Sequence, residues 1–178
     1  MTLSKLGTVV LCLFICGSVA AAQPGATPKA EEGTGVDACA LVEASEVEAA
    51  QGGRVASARP AQVVRGALAV AQCHYAVTAP DKPGQNLGVL VEVRTGEPAA
   101  VAEEWAKLGA KKENKRSERP RPVEGVGRGA YWVGSDRLGA LYVLGRDRMV
   151  YVSLGGPGEV GEKIEKSKRL AQKALARL

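Results

Sequence analysis

Twice in this chain a run of alternating valines leads through a Gly and a Pro into a segment with helical spacing, and this pattern constrains the fold most. Val91-x-Val93-x-x-Gly96-x-Pro98-x-x-Val101-x-Glu103 matches Val150-x-Val152-x-x-Gly155-x-Pro157-x-x-Val160-x-Glu162 at an offset of 59 residues. Residues two apart share one face of a strand, Gly ends the strand, and Pro suits the first turn of a helix. The physical reading is two similar strand-to-helix units on one sheet. Val, Gly and Pro are common matches, so coincidence is the competing account.

The remaining elements follow from periodicity and punctuation. Asp37 can cap a first helical turn through Cys39 and Leu41. Ser45-x-x-Glu48 has the form of a capping box, opening a short helix that stops at Gly52-Gly53. Arg54–Arg59 and Ala61–Arg65 read as strands broken by Pro60. Gln72–Thr78 alternates, with Cys73, Tyr75 and Val77 on one face and His74 on the other. Pro80–Gly84 is a turn, and Leu87, Val89, Val91 and Val93 line one face of the next strand. Val101, Trp105 and Leu108 then fall at helical spacing. Ala110–Glu124 reads as a loop and Arg128–Val133 as a strand. Leu138–Leu144 and Met149–Leu154 form a hairpin. A last helix runs from about Gly158, with Val160, Ile164, Ala171, Ala174, Leu175 and Leu178 as its apolar stripe. The order α-β-β-β-α-β-β-β-α predicts an α+β fold: an antiparallel sheet of about five to six strands with helices packed on it and a possible pseudo-repeat.

Residues 1–22 read as a secretory signal peptide: a positively charged start, the apolar run Leu6–Ala20, and Ala20-Ala21-Ala22 before Gln23. Cys12 and Cys16 follow Leu11 and Ile15, not the small residue that lipid attachment needs, and both leave with the signal. Residues 23–36 are rich in Pro, Gly, Ala, Thr and Glu and form a flexible tether. A single domain is expected over 37–178. Loss of Lys5 takes the net charge from +5 to +4. Export leaves Cys39 and Cys73, which in an oxidising compartment most simply pair; free buried thiols are the alternative. The expected location is the periplasm or the extracellular medium.

Few residues suggest chemistry. Gly156-x-Gly158-x-x-Gly161 has the dinucleotide-binding string, but no second strand with an acidic end follows it, so it reads as a turn entering a helix. His74 is the one histidine. With two cysteines expected to be bridged, it cannot build a usual zinc site. A triad would need His74 with an acid such as Asp81 or Asp136, and the chain has no G-x-S-x-G elbow. Glu43, Glu46, Glu48, Glu103, Glu104, Glu162 and Glu165 fall at helical spacing and read as solvated faces, not as a glycosidase pair. No catalytic residue, metal or cofactor is assigned.

Charge is concentrated in two places. Ala110–Glu124 carries Lys111, Lys112, Lys115, Arg116, Arg119 and Arg121 against three Glu. The last helix carries Lys163, Lys166, Lys168, Arg169, Lys173 and Arg177 against Glu159, Glu162 and Glu165. Both are candidate contacts for anionic lipid head groups, anionic envelope polymers or an acidic partner, with ordinary solubility as the bland account. Nucleic acid is not expected, because the loop has no aromatic residue for base stacking. Tyr131 and Trp132 are adjacent and so face opposite ways; one belongs to the core and the other is a candidate surface anchor.

Asp37-x-Cys39-x-Leu41, Ser45-x-x-Glu48, Gly52 and Cys73-His74-Tyr75 resemble the first half of small exported bacterial one-disulfide domains. Val126-Gly127-Arg128-Gly129-Ala130-Tyr131-Trp132, Leu141-Tyr142-Val143, Met149-Val150-Tyr151-Val152 and the helix at Ala171–Leu178 resemble the second half. The group includes actinobacterial envelope lipoproteins of unknown function and extracytoplasmic sensor domains of bacterial Ser/Thr kinases. This chain departs from the former in lacking a usable lipobox, and from the latter in having no kinase domain or membrane span. The resemblance implies an α+β fold, an envelope or secreted location and no particular activity. The expected function is a non-catalytic module binding a protein or an envelope component. A small exported enzyme using His74 and carboxylates is one alternative; electrostatic attachment through 110–124 and the last helix is another.

Overall fold

The computed structural model describes residues 35–79, 81, 84–85, 87–110, 119–136 and 138–178. The chain divides into the units Met1–Ala30 and Glu31–Leu178, and every described residue belongs to the second. The expected signal peptide with Cys12 and Cys16, most of the expected tether, and most of the turn at Pro80–Gly84 lie outside the described residues.

A 3-10 turn, Ala38–Ala40, opens the fold, capped by Asp37, whose Oδ1 accepts from the Cys39 amide at 2.9 Å. Helix α1 (Ala44–Gln51) follows. Its capping box is Glu43 with Glu46, not Ser45 with Glu48. The Glu48 carboxylate instead accepts from the Val55 amide at 2.8 Å. Seven strands make the sheet: β1 (Arg54–Arg65), β2 (Leu68–Thr78), β3 (Val89–Thr95), β4 (Arg121–Pro122), β5 (Gly129–Gly134), β6 (Gly139–Leu144) and β7 (Met149–Leu154). Helix α2 (Pro98–Gly109) separates β3 from β4, and α3 (Val160–Ala176) closes the chain. The fold is thus α+β, with one strand more than the upper expectation, the short β4 in what reads as a loop.

The strands run β1-β2-β3-β7-β6-β5-β4, each antiparallel to its neighbour. Pro60 does not split β1. It lies opposite Cys73 on an edge strand, where a missing N–H need not interrupt the ladder. β1-β2-β3 and β5-β6-β7 occupy equivalent places on either side of the β3–β7 seam. In that seam Glu92 pairs with Tyr151, Val91 with Val152 and Val93 with Val150. Glu92 and Tyr151 are 59 residues apart, the offset of the sequence repeat, so a local two-fold normal to the sheet passes through this pair.

The helices break that symmetry. A two-fold normal to the sheet would put α2 and α3 on the same face. Instead Val160 packs with the core that contains Val91, Val93, Val150 and Val152, whereas Val101 packs with Leu68 and Met149 on the reverse face. The position symmetric to α3 is taken by α1 and the 3-10 turn, which lie against β1, β2 and, for the turn, β3.

The face under α1 and α3 is the main core. Trp132, Leu141, Val143 and Leu154 are buried there with the central valines. The disulfide Cys39–Cys73 ties the 3-10 turn to β2; in the chain-entropy account a closed loop of this length stabilises by roughly 4 kcal/mol. Tyr75 donates to the Val42 carbonyl at 2.6 Å beside it, and burial is the main reason its hydroxyl pKa is pushed up to about 12.

Three buried residues of α3 fall outside its expected stripe: Lys163, Ser167 and Leu170. Lys163 is only 4% exposed, and its Nζ donates to the carbonyls of Asp136 and Gly156 at 2.6 Å each. Burial lowers its pKa, with Asp136 opposing. Ser167 lies one turn further on, fully buried.

Candidate functional site

The reverse face is covered over only part of its area. Val101, Trp105 and Leu108 of α2 pack with Leu68, Met149, Tyr142 and Leu144. Opposed residues in an antiparallel ladder point the same way, so the registers define rows across this face. One row next to the helix-covered region is Gln72–Glu92–Tyr151–Tyr142–Tyr131; the next is Arg59–His74–Leu90–Ser153.

The first row holds a buried ion cluster. Glu92 is 1% exposed. Gln72 Nε2 donates to its Oε2 at 2.5 Å, Arg94 Nε donates to its Oε1 at 2.6 Å, and Arg65 stands 3.8 Å away. Arg94 also donates to Glu104 of α2 at 3.0 Å and lies over the Tyr142 ring, 5.6 Å from its centroid. Burial acts to lower the Arg94 pKa, but the charge and hydrogen bond of Glu92, with Tyr142 and Glu104, outweigh it and raise the pKa overall. Tyr142 and Tyr151 meet edge to face at 4.9 Å, and burial is the chief reason both hydroxyls have raised pKa values. Every charge in this row is matched, as a buried polar network requires.

The second row lines an open groove of about 450 Å³, with Ser57, Arg59, His74, Leu90, Leu138 and Ser153 in its wall. The register shifts between Val55 and Ser57, a bulge that re-aims the edge strand and sets Ser57 and Arg59 on the groove side. Arg59 is exposed and has no ionic partner among the described residues. Gln72 Nε2 is committed to Glu92, so its Oε1 faces His74 Nε2 at 3.4 Å. Ser153 Oγ donates to the Gly139 carbonyl at 3.0 Å. Leu138 is 74% exposed. Among the described residues no carboxylate lines the wall, and no group of three His, Cys, Asp or Glu side chains could hold a metal ion.

The other expected site residues lie elsewhere. Cys39 and Cys73 are paired. Lys111, Lys112, Lys115 and Arg116 are outside the described residues; Arg119 and Arg121 are exposed, Arg121 lying opposite Trp132 on β4. The basic residues of α3 are largely compensated. Lys166 pairs with Glu162, Lys168 with Glu165, Lys173 with Glu46, and Arg177 with Glu43 and Glu46. The aromatic pair is not a surface patch: Trp132 is fully buried, and Tyr131 stacks on Trp105 with centroids 4.9 Å apart.

Sequence reasoning missed Arg59, Arg65, Gln72, Glu92 and Arg94. A signal was present, since Glu92 and Arg94 alternate with Val91 and Val93. Two opposite charges at i and i+2 on the non-core side of a central strand mark a polar cluster on the second face.

Among the described residues no helix is long and apolar enough to cross a membrane. Compared with protein-family models, curated proteins and solved structures, the chain has no match.

Proposed function

We propose that this chain is an exported, non-catalytic binding module of the cell envelope, and that it engages a protein or envelope component on the uncovered part of its second sheet face. The observation that carries the reading is the groove beside β1. It combines an arginine with no ionic partner among the described residues, a histidine and an exposed leucine on the part of the sheet that α2 leaves open. The disulfide suits an oxidising compartment, and the resemblance to exported one-disulfide domains points the same way.

A triad-like role for His74 would use a carboxylate within hydrogen-bond reach to orient its ring. The groove wall offers none among the described residues, so binding accounts for this geometry better than catalysis. Amide hydrogen exchange of the oxidised protein, with and without solubilised envelope fractions from its host, tests the proposal. Protection over Ser57–Arg59 and His74–Ala76 is the expected result. Protection confined to α1 and α3 would overturn it, as would no protection anywhere.

A further inference from the structure

We propose that the groove takes a small molecule bearing one carboxylate and an apolar body, with Arg59 holding the carboxylate. This rests on the reading of the groove as the binding surface and names the chemistry of its ligand.

Four arginines lie on the second face by register; Arg54, opposite Thr78 at the start of β1, is not among the groove residues. Arg65 and Arg94 close on Glu92, while Arg59 has no acid to pair with among the described residues. Among the described residues it is also the one formal charge in the groove wall. Glu92, the acid in the neighbouring row, is already matched by Gln72, Arg94 and Arg65, so it leaves the groove with a positive balance. A guanidinium presents a planar fork that fits a carboxylate through two parallel hydrogen bonds.

Ser57, two residues before Arg59 and on the same side of the bulge, has a hydroxyl with no partner among the described residues and can donate to the same anion. Ser153 cannot serve as that donor, because its hydrogen is given to Gly139. One fixed positive charge matches a monoanion. A phosphate monoester, which carries nearly two charges at neutral pH, would leave one of them unmatched.

The rest of the wall sets the body of the ligand. Leu90 forms part of it at half burial, and Leu138 stands at 74% exposure. A volume of about 450 Å³ is within the range of small-molecule clefts.

The test is a two-dimensional amide NMR titration of the 15N-labelled, oxidised protein with octanoate below its micellar concentration. Octyl phosphate, octanol and octyltrimethylammonium are run in parallel. Saturable shifts at Ser57, Arg59, His74 and Leu90 with octanoate are expected, weaker ones with octyl phosphate, and none of that pattern with the other two. Arg59→Gln is expected to weaken octanoate about tenfold or more, and Arg59→Lys to recover part of the loss. Arg59 is exposed on an edge strand, and preserved dispersion of the spectrum checks that each variant is folded.

Equal shifts with octanol, or tighter binding of octyl phosphate, would overturn the carboxylate assignment. So would octanoate shifts confined to α1 and α3, or no shifts at all. If envelope fractions protect the groove while octanoate does not bind, the ligand class fails and the binding surface stands. If neither registers there, both fail.

Discussion

The two faces of this sheet are built from the same strands yet solve burial in different ways. On the first, valines from β3 and β7, with Trp132, Leu141 and Leu154, meet α1 and α3 in a continuous apolar layer. On the second, α2 alone covers the strands among the described residues, and beyond its reach apolar packing gives way to an ion cluster and then to an open groove. The local two-fold in the strands shows that the sheet does not impose this difference. It comes from helix placement: α1 fills the site that α2 would need on the first face. Stability is therefore concentrated on one side, and the polar side chains are free to be shaped by binding.

Tryptophan truncation gives the largest contrast. Each face admits a tryptophan beside a glycine: a Cβ at Gly139 would collide with Trp132, and one at Gly129 would come within 3.1 Å of Trp105. Trp132 is fully buried, whereas Trp105 is half-buried. Trp132→Ala is expected to cost roughly 3–5 kcal/mol in urea unfolding, and Trp105→Ala roughly half of that. Equal losses would mean that the second face contributes as much to the core as the first.

The disulfide comes next. Cys39→Ser with Cys73→Ser removes a link that belongs wholly to the first face, and the expected loss is about 2–4 kcal/mol. Octanoate affinity in the groove should persist wherever the variant remains folded. A ligand site that vanished while the spectrum stayed dispersed would show that the faces are coupled.

Glu92 tests whether the second face uses charge for stability. Glu92→Leu alone leaves Arg94 with Glu104 as its remaining acid and should cost about 3 kcal/mol, as breaking a buried pair does. Glu92→Leu with Arg94→Met replaces the cluster by apolar groups and should recover most of that loss. Full recovery would show that the cluster serves position, by orienting Gln72 and hence His74, rather than stability. Failure to recover would make it part of the core.

Much of the first face was legible in the sequence. Alternation placed Cys73, Tyr75 and Val77 together, and His74 opposite them, because strand periodicity is local. Exceptions arose where a local rule met a tertiary one. Pro60 looks like a strand breaker but sits on an edge. Ser45-x-x-Glu48 has the form of a capping box, but Glu48 is taken by the start of β1, and the box shifts to Glu43 and Glu46. Lys163 and Ser167 lie at core spacing in α3, and their polarity hid it. The repeat predicted two strand-to-helix units on one sheet but neither the pairing of β3 with β7 nor the side chosen by α2, since a Gly-Pro turn does not encode which face is already occupied. The groove escaped because Arg59 and His74 come together only through the β1–β2 register.

The smallest expected effect lies at the rim of the first face, where α3 is tied back to α1. Arg177 donates to Glu46 at 2.6 and 2.9 Å and to Glu43 at 3.0 Å, and Lys173 stands 3.3 Å from Glu46. The Arg177 hydrogen bonds are the main reason the Glu46 pKa falls to about 2 from its usual 4.5; burial opposes them, and the Glu43 amide and Lys173 assist. A folded-state value below the unfolded one means that the contribution is complete above pH 4.5 and is lost as pH falls towards 2. Arg177→Gln should therefore lower the melting temperature by a few degrees at pH 7 and by almost nothing near pH 2. Because Arg177 is partly exposed, 1 M salt should shrink the pH 7 difference, since ions screen such pairs within about 3 Å. The loss in Glu92→Leu should resist the same salt, because Glu92 is buried. A salt response that was the same for both would erase the distinction between a wet rim on one face and a dry cluster on the other.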